Sequence, residues 1–314
     1  MFKLRSAVVF VGISVSVAVG LAACTVPPMA ADPTSQRAEP AESSTTETGT
    51  DSLTPPELAD VAVTNLVDEE SKNEVRTALI AAGVPVESVD RFFAQVDLYN
   101  GTVAKNSLLP SGFRPYSADY ALGAMSVLWD KQFPEFIGTN CRINTFLLAE
   151  DLVTINPQQS EPDSGLLFLD EDAITHAPTP LFSEEELAGF KQVFSQIETT
   201  SERDSDQHVA NIQKFFRSKG ISFVNPNVKI VSVFLHDTLD EKAKLFIGHV
   251  GVAVPHEEGI LFVEKLAFDK PYQALKFRDY DQLNTYLRLL YDDGTDLDYS
   301  QPVIFSNDEV LSTS

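Results

Sequence analysis

The sequence predicts an α+β domain in which N-terminal helices are followed by a C-terminal antiparallel sheet. Three observations carry this prediction. From Asp68 to Gly220, apolar residues recur at helical spacing between capping and stopping residues. After Asn225-Pro226-Asn227 the pattern changes to short runs rich in Val, Ile and Phe, broken by turn residues. The helical runs are gathered ahead of the strands and do not alternate with them, which is the α+β order.

The elements follow in turn. Asp68 caps a helix through Ala82, with Val75, Leu79 and Ala82 on one face and Gly83 as the stop. Glu87 to Tyr99 repeats the design, with Val89, Phe92, Phe93 and Val96 inward and Gly101 after it. Ser117 to Phe133 reads as a third helix, ended by Pro134, and a fourth runs from near Cys141 to about Leu152. Asn156 to Gly165 reads as a loop. Ser183-x-x-Glu186 is a capping box for the next helix, and Asp206 to Lys219 forms another, closed by Gly220. Val228 to Leu235, Lys244 to Val254 and Ile260 to Phe268 read as strands, with Pro255 to Gly259 as a hairpin loop. Asp281 to Tyr291 is a last helix and Val303 to Phe305 a short strand.

Composition narrows the function classes. The chain has 314 residues, with 23 Lys and Arg against 46 Asp and Glu, a formal net charge of −23. A nucleic-acid partner is excluded, because a phosphate binder needs a basic stripe to release counterions. Two cysteines rule out a disulfide-rich scaffold.

The N-terminus reads as an export signal with a lipid anchor. Lys3 and Arg5 form a positive n-region, Ala7 to Gly20 an uncharged apolar run, and Leu21-Ala22-Ala23-Cys24 ends it. This resembles the bacterial lipobox, which implies residues 1–23 as a lipoprotein signal peptide and Cys24 as the lipidated residue. Loss of Lys3 and Arg5 takes the mature charge to −25. Residues 24–58 are rich in Ser, Thr, Pro and Glu, with no large hydrophobic residue between Met29 and Leu53. Such a stretch buries too little to offset its ordering entropy and is expected to be a disordered tether. Residues 59–314 are then one globular domain. The expected address is the extracytoplasmic face of the bacterial cell membrane, the membrane being reached through the lipid on Cys24.

The chemistry converges on two residues. With Cys24 lipidated, Cys141 is a free thiol in an exported protein. Thr139 or Asn140 is a good N-cap, and Ile143, Phe146 and Leu147 follow at helical spacing, so Cys141 falls in the first turn of a helix. Unpaired N–H groups and the positive dipole end favour thiolate there, and Arg142 adds a cation. The competing reading is a buried structural thiol. His249, in Ile247-Gly248-His249-Val250-Gly251, is a strand histidine whose flanking glycines leave space for a second backbone or a ligand. His236 is the best substitute base. With Val254 opposite Gly259 in the hairpin, His249 lies opposite Glu264, a carboxylate able to orient the imidazole. Asn140 and Thr139 are candidates for the oxyanion side of a cleft, and Tyr272 and Gln273 for its border. No metal site is expected, since no histidines share metal-ligand spacing and the acidic Asp292–Asp298 loop lacks EF-hand spacing. No cofactor is expected.

The order of helix-borne Cys, strand-borne His and a polar group on the next strand is similar to that of papain-like thiol hydrolases of the NlpC/P60 type. A second resemblance covers nearly the whole mature chain. Asn65-Leu66-Val67-Asp68, FIGTNCRINTF, Val233-Phe234-Leu235-His236-Asp237 and LFIGHVGVAVPHEEGILFVEKLAFDKPYQALKF together resemble the bacterial lipoprotein family known as domain of unknown function 4300. That resemblance implies an exported lipoprotein and supplies no activity. The residues themselves lead to the expectation of a cysteine hydrolase acting on a cell-wall peptide or an N-acyl group. The rival is a non-enzymatic lipoprotein, or a degenerate hydrolase, that binds such a peptide or another exported protein.

Overall fold

The computed structural model describes residues 55–311, apart from 104–106, 118–119, 157–161 and 258. The signal segment, Cys24 and most of the tether lie outside the described residues. Pro56–Leu58 already form a 3-10 turn, with Leu58 buried in the core.

The chain begins with a short strand, β1 (Ala62–Thr64), which the sequence pattern does not reveal. Helix α1 (Glu69–Ala82) is capped by the Asp68 carboxylate, which accepts from the Ser71 N–H, and stops at Gly83 with φ 98°. Helix α2 (Val86–Thr102) runs through Gly101. Strand β2 (Arg114–Pro115) pairs with β1, and the Tyr116 N–H donates to the Val61 carbonyl. This pairing keeps the chain extended up to Tyr116, the residue before the predicted helix start. Helix α3 accordingly spans Leu122–Gln132 and does not start at Ser117.

Helix α4 (Cys141–Ala149) continues as a 3-10 turn to Leu152, then β3 (Val153–Thr154). An unpredicted helix, α5 (Phe168–His176), follows. Helix α6 (Glu184–Val193) carries the predicted Ser183–Glu186 capping box. Strand β4 (Ile197–Glu198), helix α7 (Ser205–Lys219) and β5 (Ser222–Phe223) lead into the sheet, with β3 and β5 pairing apart from it.

The main strands are β6 (Lys229–Asp237), β7 (Lys244–His256), β8 (Gly259–Lys265) and β9 (Tyr272–Phe277). Helix α8 (Tyr280–Tyr291), β10 (Val303–Ser306) and β11 (Glu309–Val310) complete the chain. Among the described residues the antiparallel sheet has the order β11-β10-β6-β7-β8-β9-β1-β2, with β4 joining β7. The α+β class therefore holds, with two short N-terminal strands, β1 and β2, placed beyond β9. No described helix is long and apolar enough to cross a membrane.

The hairpin is tighter than expected. Val254 pairs with Leu261, not with Gly259, and Pro255 and His256 are strand residues paired with Ile260 and Gly259. The shift is two residues, so every side chain keeps its face. Sheet residues alternate between two cores. Val252, Val254, Leu261 and Val263 pack with α1, α2, α4, α6 and α7, while Ala253, Ile260 and Phe262 pack with Leu283, Tyr286 and Leu287 of α8.

The glycines around His249 are filled by neighbours and do not leave open space. A Cβ at Gly248 would lie 2.3 Å from the Leu235 side chain. One at Gly251 would lie 2.4 Å from the Phe262 ring and 2.8 Å from the Val263 carbonyl. Because a backbone atom cannot yield, Gly251→Ala is expected to destabilise the protein by about 1–3 kcal/mol. Gly101→Ala, in a helix with open space around it, is expected to stabilise by about 0.5–1 kcal/mol. Thermal unfolding of the two variants checks the pair.

Candidate active site

The site forms where the sheet parts. One edge of β7 is paired with β6 along most of its length. On its other edge, β4 covers Lys244 and Leu245, and β8 begins only at Val252. The carbonyls between would be unpaired and buried, a cost of about 1–3 kcal/mol each. Helix α4 fills the gap: Arg142 NH1 donates to the Ile247 carbonyl at 2.9 Å, and Thr145 Oγ1 to the Val250 carbonyl at 3.3 Å. Within the gap the β6–β7 register shifts, from Val233 opposite His249 to Phe234 opposite Ile247, leaving Gly248 as the extra residue of a bulge. Bulges re-aim side chains, and here the re-aimed residue is His249.

The chain enters α4 through Gly138, at φ 95°, a conformation that favours glycine. Asn140 is the N-cap. Its Oδ1 accepts from the Ile143 N–H at 3.0 Å, and its Nδ2 donates to Asp170 at 2.8 Å. Cys141 is thus the first residue of the helix, where the backbone N–H has no intrahelical acceptor. Arg142 grips the same Asp170 through Nε at 2.9 Å and NH2 at 2.6 Å. Asp170 is wholly buried on α5 and locks the first turn of α4.

Opposite the thiol, His249 Nε2–H donates to Glu264 Oε2 at 2.5 Å. Glu264 receives a second donor, the Tyr286 hydroxyl, on Oε1 at 2.5 Å. The Tyr291 ring stacks on the imidazole, centroids 4.7 Å apart and planes 16° from parallel. Nδ1 has no hydrogen-bond partner of normal geometry; the other group acting on the ring is the Cys141 side chain. All three groups are buried, Cys141 to 5% exposure and His249 to 1%.

Electrostatics favour a thiolate–imidazolium pair. Burial pushes the Cys141 thiol up, but the His249 imidazole and then the Arg142 charge pull it down further, so it lies below its usual value. Burial pulls His249 down, but Cys141 and Glu264 outweigh it and raise it to about 9.

Cys141, His249 and Glu264, the three predicted site residues, therefore stand together. Gln273 pairs with Glu264 across β8 and β9 and touches Tyr286 and Tyr120. Thr139 and Tyr272 lie elsewhere. They bond one another at 2.9 Å and both contact Asn144, in a buried network with no open side. The Asn140 amide is engaged at both ends as a cap, which leaves the Cys141 N–H as the donor for an oxyanion. His236 is held between the Thr200 carbonyl and the Ser300 N–H and packs against His208, ring centroids 4.4 Å apart and tilted by 55°, so it serves the loop packing. Three contributors escaped the sequence reading. Asp170, Tyr286 and Tyr291 sit on helices whose polar and aromatic spacing does not distinguish them from ordinary surface or core residues.

Among the described residues, the one cluster with metal-ligand geometry is Glu74, His256 and Glu257. Lys276 is ion-paired with Glu74 there at 2.5 Å.

A family model described as a domain of unknown function (DUF4300) matches residues 62–311. The chain belongs to the DUF4300 family. The matched segment runs from β1 to just beyond β11, so the DUF4300 domain contains every element that builds the Cys141–His249–Glu264 line. No curated protein and no solved structure matches the chain.

The shifts set a pH dependence for this DUF4300 domain. His249, raised from 6.5 to about 9, contributes stability that is full below pH 6.5 and lost as pH rises through about 9. Cys141, lowered from 9.0, contributes stability present above pH 9.0 and lost as pH falls through its lowered value. Where the two ranges overlap, the slopes have opposite signs and offset one another. Thiolate ultraviolet absorbance, taken as the difference from Cys141→Ser, is expected to appear at a pH below the ordinary thiol range. In His249→Gln it is expected only above the ordinary thiol range.

Proposed function

We propose that the protein is a lipid-anchored cysteine hydrolase that cleaves an amide in a cell-wall peptide or an N-acyl compound. The observation that carries this reading is the buried line Cys141–His249–Glu264, with the sulfur in the first turn of a helix and its thiol pulled below its usual value by the imidazole. The Cys141 thiolate attacks the carbonyl carbon, and the oxyanion lies near the Cys141 N–H at the open end of the helix dipole. The His249 imidazolium gives its proton to the leaving amine. The neutral imidazole then takes a proton from water, whose hydroxide attacks the thioester and releases the acid and the thiolate. Glu264, steadied by Tyr286, holds Nε2–H so that Nδ1 is the nitrogen that carries the mobile proton. The order of the three groups along the chain supports a papain-like logic.

The address is part of the proposal. The lipobox supports lipidation of Cys24 and residence on the outer face of the cell membrane. Cys24→Ala expressed in the host is expected to move the protein from the membrane fraction to the soluble one, and retention in the membrane would remove the anchor.

The burial of Cys141 and His249 favours a second reading, a degenerate hydrolase or a binding lipoprotein that holds its ligand without turnover. Muropeptides and N-acyl amides incubated with wild type, Cys141→Ala and His249→Ala distinguish the two. The hydrolase predicts new amine termini and a thioester adduct with wild type alone, with turnover at least about a hundredfold lower in His249→Ala. Equal binding by all three proteins, with no product, would leave only the binding reading.

A further inference from the structure

Two cavities flank the site, and they share Leu290 and Tyr291, so the end of α8 divides them. One, beside Gln273 and Tyr286, holds only about 150 Å³. The other holds about 580 Å³, within the roughly 300–1,000 Å³ of small-molecule sites. The larger borders the catalytic line through three of its lining residues. Arg142, next to Cys141, forms part of its lining, as does Tyr291, whose ring lies on His249. Leu235, which fills the space beside Gly248, forms its wall with Phe246. Its lining is mostly apolar, and it includes Leu239, which is 95% exposed. The lining carboxylates are Asp237 and Asp293. The Arg142 cation there is taken up by Asp170, so the unbalanced charge in the cavity is negative.

We infer that the 580 Å³ cavity between Arg142, Phe246 and Tyr291 is the subsite for an apolar group of the substrate, one that bears or adjoins an amine. This rests on the hydrolase reading and names its substrate class. An apolar chain fills the Leu235–Phe246 wall and removes it from water, while the amine meets Asp237 and Asp293. An acidic neighbour is rejected by the same carboxylates, which suits a chain of net charge −23.

The test uses the Cys24→Ala protein, in which Cys141 is the sole thiol. Its alkylation rate is measured with iodoacetamide and with its N-benzyl, N-(4-aminomethylbenzyl) and N-(4-carboxybenzyl) analogues; sulfur displaces iodide in every case. The benzyl reagent is expected to react at least about tenfold faster than iodoacetamide. The aminomethyl analogue is expected to exceed the carboxyl one several-fold. Phe246→Ser is expected to bring the benzyl preference toward one. Leu239→Asp, at a position too exposed to affect folding, is expected to lower it as well. Equal rates with all reagents, or a preference for the carboxyl analogue, would overturn the subsite while leaving the reactive thiol. No alkylation by any reagent would instead remove the thiol chemistry, and the subsite with it.

Discussion

The structure depends on docking the N-terminus of α4 against an unpaired stretch of β7. Between Leu245 and Val252 one edge of that strand has no neighbouring strand. A buried strand edge is untenable unless its carbonyls are satisfied. Arg142 and Thr145 satisfy two of them, and in doing so bring the first residue of the helix to the imidazole on the strand. The Cys141 side chain belongs to the core on one face of the sheet, whereas Glu264, Tyr286 and Tyr291 belong with α8 on the other. Only where the strands separate can groups from both faces meet.

The charges at this junction come in coupled sets. Arg142 and Asn140 share Asp170, while Glu264 takes its donors from His249 and Tyr286. A buried pair of this kind adds little net stability, because desolvation consumes most of the Coulomb gain, but losing one partner leaves an uncompensated charge and costs several kcal/mol. The arrangement is therefore explained better by positioning than by stability. Asp170 fixes the turn that presents the thiol, and Glu264 fixes the tautomer of the ring that faces it. Lys265, the residue after Glu264, is spent on the adjoining turn. Its Nζ donates to the carbonyls of Ala267 and Phe268 and lies 3.8 Å from the Tyr99 ring centre, which holds the loop between β8 and β9 in place.

The junction is closed in this state. The Tyr291 ring covers the imidazole, and the thiol is nearly inaccessible. Because Tyr291 is the last residue of α8, few backbone hydrogen bonds oppose its movement, and frayed helix ends are the cheapest parts of a fold to open.

Much of the site was legible in local chemistry. Asn140 before Cys141 reads as a cap before a helix because a side-chain oxygen must satisfy an orphan N–H, and α4 starts at that residue. The candidate pair Cys141 and His249 followed from helix-start and strand logic. Glu264 was reached through a register two residues from the actual one, and it survived because side chains alternate with period two, so that shift returns the same face. At Ser117, where periodicity predicts helix, and around Thr139 and Tyr272, long-range partners decided the local arrangement. Tyr116 is drawn to Val61, and Tyr272 to Thr139 and Asn144.

By itself, then, the sequence determined most of the helices and the central strands, the helix-borne thiol and the strand-borne imidazole, because caps, stops and periodicity act over a few residues. The tertiary structure decided that the two meet, that Asp170 and Tyr286 hold them, and that Tyr291 covers them. Those facts depend on where β7 loses its neighbour, which follows from the pairing of strands far apart in the chain and leaves no mark on any short window of residues.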